Sequence, residues 1–160
     1  MEIVDNFLEN KDFKSIKKLV MSKGSLPLFI TNEIANFKTD KQKCYFFNIL
    51  YTFDSNQENP YFKYFYPLLN KIPIKKLWRV KVNCYPRTNI LEKHPMHKDY
   101  DVSHRGCIFS LNDCDGGTYI GDKFIQSKEN RALFLDPSTD HCSTNTTDTY
   151  ARFNININFI

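Results

Sequence analysis

The sequence has no apolar run close to the ~20 residues that a membrane-spanning helix needs, so we expect no membrane partner. It also begins without the basic region and long apolar stretch of a secretory signal, since Glu2 and Asp5 stand there instead. Glycine is scarce, at 5 of 160 residues, and neither a repeat nor a Gly/Ser linker divides the chain. We therefore predict a single domain over residues 1–160 and a cytoplasmic location.

The cysteines exclude a disulfide framework and a zinc knuckle. There are five of them, an odd number, and none stands in a CxxC pair. The net charge of +4 comes with no basic motif interleaved with aromatic residues, which argues against a nucleic-acid partner. One basic run keeps phosphate contacts open as an alternative: Lys71, Lys75, Lys76, Arg79 and Lys81.

Residues 1–74 carry the helical patterns. Asn10 is placed to cap a helix that buries Phe13 and Ile16 and ends near Gly24. A second helix is predicted to begin at Asn59-Pro60, with an apolar stripe of Phe62, Phe65, Tyr66 and Leu69.

From residue 75 onward, β-prone segments alternate with turns, and two earlier segments, 26–30 and 44–53, are also predicted strands. Two later strands alternate strictly between polar and apolar residues. One polar face consists of Arg79, Lys81, Asn83 and Tyr85, and the other of Arg152, Asn154, Asn156 and Asn158.

The predicted fold is mainly β within the α+β class. We expect an antiparallel double-stranded β-helix, or jelly roll, over residues 75–160, supported by two or three helices from residues 1–74. The apolar strand faces would pack on those helices, and the polar faces would line a hydrated pocket inside the roll. The alternative is that these polar faces simply meet solvent.

His97 and Asp99 are candidate metal ligands. In an extended segment residues i and i+2 point the same way, so an imidazole and a carboxylate can reach one point. His141, well downstream, would complete a set of two histidines and one carboxylate. That set suits non-haem Fe(II), because it leaves coordination positions open. An isolated His-x-Asp tripeptide also occurs by chance on surface loops.

Arg152 is the candidate carboxylate clamp, since a guanidinium can bind a carboxylate through two parallel hydrogen bonds. Tyr85 is placed to donate a phenolic hydrogen bond to the same ligand. Asn83 and Asn154, on the same polar faces, are further candidates for cofactor binding. A surface ion pair for Arg152 and a rim position for Tyr85 are the structural alternatives.

The order of these motifs resembles the prolyl-4-hydroxylase-like Fe(II)/2-oxoglutarate oxygenases, and most of all their small single-domain members from phages and other viruses. The matching segments, covering residues 79–160, are Asn83-Cys84-Tyr85-Pro86, His97-Lys98-Asp99, Arg105 to Asp113, Gly116-Gly117-Thr118, His141 and Arg152. The segment Ile3 to Leu8 is similar to the opening strand of that family.

The resemblance implies that His97, Asp99 and His141 bind iron, while Arg152 binds the far carboxylate of 2-oxoglutarate and Tyr85 supports it. It also implies a dioxygenase that uses O2 and, in some members, ascorbate. Such an enzyme hydroxylates a prolyl or other protein side chain, or a small molecule, and releases succinate and CO2. For a viral source the location would be the host cytoplasm.

The sequence departs from the family at Ser110, where many members have a tyrosine, and at Gly116-Gly117-Thr118, which lacks an intervening acid. The primary substrate therefore stays open, with specificity expected from residues 31–43 and 100–105. The rivals are a non-catalytic jelly-roll or virion-associated module with a vestigial metal site, and a cupin-like dioxygenase without 2-oxoglutarate. The basic run from Lys71 to Lys81 would suit a third alternative, a nucleic-acid demethylating oxygenase.

Three other side chains have weaker assignments. We expect His94 at the pocket rim or on an exposed loop, with a ligand role as the lesser alternative, because Pro95 disfavours a regular strand there. His104 is expected on the surface, and Cys142 as a small buried filler.

Overall fold

The structure is a computed structural model that describes residues 1–34, 37–38, 44–54 and 59–160. Part of the predicted specificity loop, residues 35–36 and 39–43, lies outside these residues. No helix within the described ranges has the length and apolar character to cross a membrane. The described elements, in chain order, are β1 (Glu2–Val4), α1 (Asn10–Met21), β2 (Phe29–Thr31), β3 (Glu33–Ile34), β4 (Phe37–Lys38), β5 (Tyr45–Thr52), a 3-10 helix (Phe62–Phe65), α2 (Tyr66–Leu69), β6 (Leu77–Pro86), β7 (Arg105–Ser110), β8 (Gly117–Ile120), β9 (Lys123–Gln126), β10 (Arg131–Leu135), β11 (His141–Ser143) and β12 (Ala151–Phe159).

Two antiparallel sheets form the body of the fold. The larger has seven strands in the order β1-β10-β7-β12-β6-β5-β2, and the smaller has three in the order β11-β8-β9. A cluster of Ile108, Ile125, Leu133 and Leu135 joins β7 and β10 of the large sheet to β9 of the small one. This arrangement confirms the predicted mainly β, jelly-roll fold class.

The main core lies on the opposite face of the large sheet, under the helices. Phe13, Ile16 and Val20 of α1 are buried in one cluster with Val80 of β6 and Ile155 of β12. Each such side chain stabilises the fold by about 1.5–3 kcal/mol through removal of apolar surface from water. The prediction that apolar strand faces pack on the helices is therefore confirmed.

The helical predictions needed two corrections. Asn10 is the first residue of α1, and the capping position belongs to Glu9, which makes no side-chain cap bond. The second helix is broken into a 3-10 turn and a single α-turn, because Pro67 has no N–H to donate within the helix. Tyr66 is consequently turned outward and is 45% exposed, whereas Phe62, Phe65 and Leu69 are buried as predicted.

Candidate metal centre

The polar faces of β6 and β12 lie side by side on the inner surface of the large sheet. Tyr85 is paired with Arg152 and Asn83 with Asn154 across the two strands, as expected if both faces point into the roll. Side chains of these faces line a cavity of about 370 Å³ between the sheets. The prediction that the polar faces line a pocket, rather than meeting bulk solvent, is confirmed.

His97 and His141 lie directly opposite each other in an isolated antiparallel bridge. Their backbones exchange both hydrogen bonds, with N–O distances of 2.9 Å and 3.0 Å, and the ring centroids are 4.5 Å apart. Nδ1 of His97 lies 3.2 Å from the Pro95 carbonyl oxygen, and Nδ1 of His141 lies 2.9 Å from that of Thr139. Donation from Nδ1 leaves Nε2 of each ring with a free lone pair, as metal ligation requires.

Asp99 completes the cluster. One ligand atom from each of Asp99, His97 and His141 lies within 4.8 Å of the others. The carboxylate is also held from outside the cluster, since Arg79 approaches its Oδ1 at 2.9 Å. The side-chain amides of Asn156 and Asn158 donate to its Oδ2 at 3.2 Å and 3.1 Å. Second contacts of this kind fix the orientation of a ligating carboxylate.

The protonation states of these groups suit a cation. Burial and the neighbouring His141 lower the pKa of His97, so its imidazole is neutral at pH 7. Burial alone would raise the pKa of Asp99, but Arg79 and the two histidines outweigh it and lower the pKa to about 2. The cluster therefore offers two imidazoles and one carboxylate, the donor set preferred by non-haem Fe(II).

Arg152 is a buried cation without an internal counterion. It is only 1% exposed, and within the part of the chain that the structure describes no carboxylate pairs with it. Its guanidinium donates to the Thr144 carbonyl at 3.0 Å and to Oγ1 of Thr118 at 3.1 Å, while its Nε has no hydrogen-bond partner. An unpaired buried charge is costly, and an external carboxylate would offset that cost.

Tyr85 separates Arg152 from the open cavity. The Arg152 guanidinium lies over the Tyr85 ring, 5.5 Å from its centroid, and Tyr85 lines the cavity whereas Arg152 does not. On its other side Arg152 is packed against Gly116, where an added Cβ would lie 3.1 Å from Cδ of Arg152 and 2.1 Å from a backbone oxygen. The Tyr85 ring therefore lies between the cavity and the guanidinium.

The remaining sequence candidates fall into place around this centre. Asn83 and Asn154 are buried, and the Asn83 amide donates to Oδ1 of Asn154 at 3.0 Å. His94 lines the cavity with its ring 5.1 Å from that of Tyr85, and it is not part of the three-residue cluster. Cys142 is fully buried, as predicted.

His104 contradicts its expected surface position, because it is only 5% exposed. Its ring stacks on Trp78, with centroids 4.9 Å apart, and its Nε2 lies within hydrogen-bond distance of Oδ1 of Asn158, at 3.0 Å. Asn158 in turn holds Asp99. Sequence analysis missed this support because the partner of His104 lies on β12, more than fifty residues away along the chain.

The predicted basic run does not form one surface. Lys71, Lys75 and Lys76 are exposed, whereas Arg79 and Lys81 line the cavity. The role of Arg79 at Asp99 was also missed by sequence analysis. The alternation that placed Arg79 on the polar face of its strand was the one available indication.

Comparison with known proteins gives fold matches only. No protein-family model and no curated protein sequence matches the chain. The structure is similar to the viral collagen prolyl hydroxylase of Paramecium bursaria Chlorella virus-1 in its 2OG complex. That match has a TM-score of 0.61 and 14% identity, and it covers 99% of this chain and 96% of the viral one.

Two further solved structures share the fold over 99% of this chain. One is a prolyl hydroxylase from Trichoplax adhaerens in complex with a hypoxia inducible factor peptide fragment, with a TM-score of 0.65, 14% identity and 82% of that chain covered. The other is a non-heme alpha ketoglutarate dependent epimerase from nogalamycin biosynthesis, with a TM-score of 0.66, 11% identity and 76% of that chain covered. The chain thus has the jelly-roll fold of prolyl hydroxylases and other 2-oxoglutarate-dependent oxygenases.

Proposed function

We propose that the protein is an Fe(II)- and 2-oxoglutarate-dependent dioxygenase. One observation carries the proposal: His97, Asp99 and His141 present ligand atoms within 4.8 Å of one another at the wall of the cavity. The fold it shares with oxygenases of this class supports the same conclusion. We take residues 1–160 as one oxygenase domain, in which residues 1–74 support a jelly-roll core of residues 75–160.

The three residues fit a ferrous ion as its protein ligands. Two imidazoles and a carboxylate leave open positions for other ligands, which a structural zinc site would not. The backbone bridge fixes the two histidines, while Arg79, Asn156 and Asn158 fix the carboxylate. When bound, iron supplies the O2-dependent decarboxylation of 2-oxoglutarate to succinate and CO2, coupled to oxidation of a substrate C–H bond.

Arg152 fits the far carboxylate of 2-oxoglutarate. Its charge lacks a carboxylate partner within the described residues, and its Nε is buried without a hydrogen bond. Burial raises the pKa of Tyr85, so its phenol stays protonated and can donate to the same carboxylate. Asn83 and Asn154, between Tyr85 and the metal ligands on the cavity floor, would orient the middle of the molecule.

The cavity walls would keep bulk water from the reacting groups, which strengthens each of these electrostatic contacts. The intact ligand set and the intact Arg152 favour an enzyme over a vestigial module. We infer the cytoplasm, or the host cytoplasm for a viral protein, as the compartment, since the five cysteines are free thiols suited to a reducing environment. Hydroxylation of a prolyl or other protein side chain, with ascorbate as a supporting reductant, is the activity to assay first.

The test is succinate formation from 2-oxoglutarate with and without Fe(II). We expect His97→Ala and Asp99→Ala each to abolish both succinate formation and the visible absorbance of the Fe(II)–2-oxoglutarate complex. His94→Ala removes a neighbouring imidazole outside the cluster and serves as the control, which should keep its affinity for Fe(II). Metal affinity equal to wild type in the His97 or Asp99 variant would contradict the ligand assignment.

A further inference from the structure

The side of the cavity away from Arg152 holds a second cation, Lys81. On β6 the same polar face carries Arg79, Lys81, Asn83 and Tyr85 in order, so Lys81 lies two strand positions beyond Asn83. Its cross-strand neighbours are Asn156 on β12 and Ile49 on β5. Lys81 therefore lies beside the candidate metal centre, toward the β5 wall and away from the end that Arg152 occupies.

The ammonium of Lys81 has no ionic partner within the described parts of the chain. Its one hydrogen bond goes to the hydroxyl of Tyr45, at 2.8 Å. The nitrogen also lies over the rings of Tyr45 and Phe47, 5.1 Å and 4.9 Å from their centroids. Burial lowers the pKa of Lys81 to about 8, so the group is still mostly charged at pH 7 and lies in a poorly hydrated place.

Arg79 and Lys81 differ in the charge and the hydrogen-bond donors that each leaves available to a ligand. Arg79 is paired with Asp99 at 2.9 Å, so its charge is neutralised inside the protein. Lys81 donates one of its three N–H groups to Tyr45, which leaves two donors directed away from that bond. Burial raises the pKa of Tyr45, so the Tyr45 hydroxyl stays protonated and can donate its own hydrogen next to Lys81.

The cavity limits the size of what Lys81 can meet. Its volume of about 370 Å³ must hold 2-oxoglutarate as well, if the proposed function is right, which leaves room for a small molecule or a single side chain. The aromatic wall of Tyr45 and Phe47, together with Ile49, suits an aliphatic stem. A charged end on that stem would meet Lys81.

We propose that the primary substrate carries a carboxylate, which Lys81 and the Tyr45 hydroxyl bind while the aliphatic part of the substrate lies along Phe47 and Ile49 toward the metal centre. This inference rests on the proposed function and names the class of substrate for it. A carboxylate of this kind occurs in a free amino acid and in an acidic side chain of a peptide.

The experiment compares acids with their isosteric amides. Protein loaded with Ni(II) and 2-oxoglutarate, which does not turn over, is titrated calorimetrically with L-glutamate and L-aspartate, and with L-glutaminamide and L-asparaginamide, in which every carboxylate is replaced by an amide. A second arm uses short peptides with a central Glu, Gln, Asp or Asn between alanines and with blocked ends. We expect at least one acid to bind about tenfold or more tightly than its amide, as a charge-assisted hydrogen bond predicts. The arm in which this occurs separates a free acid from a peptide.

The variants assign that preference to Lys81. Lys81→Met keeps the stem and removes the charge, so the acid should bind no better than its amide, while Lys81→Arg should keep part of the preference. Lys76→Met, at an exposed lysine just before the same strand, is the matched control and should retain the full preference. Thermal unfolding of each variant checks that Lys81→Met is folded.

The outcomes separate this inference from the proposed function. A wild-type protein that gives no Fe(II)–2-oxoglutarate absorbance contradicts the proposed function. A wild-type protein that gives this absorbance but binds acids and amides equally, or binds none of the acids, contradicts only the role of Lys81. A preference for acids that survives in Lys81→Met also overturns it.

Discussion

Arg79 and Arg152 lie on the neighbouring strands β6 and β12, yet their environments are opposite. Arg79 contacts the Asp99 carboxylate at 2.9 Å, so its charge is balanced within the protein. Arg152 is almost completely inaccessible, and the described residues surround its guanidinium with a carbonyl, a hydroxyl and an aromatic ring but no carboxylate. The difference supports our proposal that Arg79 positions a metal ligand, whereas Arg152 binds an external anion.

The largest expected effect is on stability at the Arg79 end. Arg79→Met leaves Asp99 as a buried carboxylate without its cation, which should lower the free energy of unfolding by about 3 kcal/mol. Arg152→Met removes a charge that has no counterion, so without ligand its loss should be clearly smaller. Urea unfolding of the two metal-free variants at pH 7 measures both values. An equal loss of unfolding free energy in the two variants would contradict the proposed difference between Arg79 and Arg152.

The second effect is on ligand binding, and it should fall on the other arginine. Arg152→Met should weaken 2-oxoglutarate binding by about thirtyfold or more, or about 2 kcal/mol, because a charge-assisted bidentate contact is lost. Titration of the Fe(II) protein with 2-oxoglutarate, followed by its visible absorbance, gives this affinity. An unchanged affinity would remove Arg152 from the carboxylate site.

The third effect concerns acid stability of the metal-free protein. The pKa of Asp99 in the folded protein, about 2, lies below its ordinary value of 3.8. Its contribution is therefore complete above about pH 4 and is lost as the pH falls through about 2, a change of about 2 kcal/mol. Asp99→Asn should lack this part of the acid profile, while Arg152→Met should keep it. Urea unfolding at a series of pH values between 2 and 6 shows whether the wild type and Asp99→Asn converge in acid.

The smallest effect tests the outer support of Asp99. His104→Phe keeps a ring against Trp78 but loses the hydrogen bond to Asn158, whose amide holds the Asp99 carboxylate. We expect the affinity for Fe(II) to fall about tenfold, as is typical for loss of such a contact. Competition with a chromophoric chelator measures it. Wild-type affinity in this variant would show that Arg79 and Asn156 suffice to orient the carboxylate.

Much of the fold could be predicted from local patterns. The period-two alternation of β6 and β12 fixed which side chains face the core, and the helical spacing of Phe13, Ile16 and Val20 fixed the buried face of α1. The second helix was predicted less well, because Pro67 interrupts an otherwise helical run. The spacing of apolar residues indicates a helix there but does not take account of the backbone N–H that proline lacks.

For the candidate site, the sequence predicted only which side chains share one face of an extended segment. His97 and Asp99 could be assigned to one face from their spacing. Arg79 and Asn158 reach Asp99 from β6 and β12, and His104 contacts Asn158 from the loop before β7. Contacts of this kind depend on which strands are neighbours and in what register. The local pattern of a single sequence does not show which strands are neighbours or what register they have.

The sequence by itself determined the residue types of the centre and the face of the strand on which each lies, because side-chain alternation is a local property of extended backbone. Only the tertiary structure decided that His97 meets His141 across a backbone bridge, that Arg79 is paired, and that Arg152 and Lys81 are without carboxylate partners in the described chain. The physical reason is that charge compensation depends on distance in space. Arg79 and Lys81 lie on one polar face of β6, but among the described residues only Arg79 has a carboxylate partner. The fold brings Asp99 close to Arg79 and brings the Tyr45 hydroxyl close to Lys81.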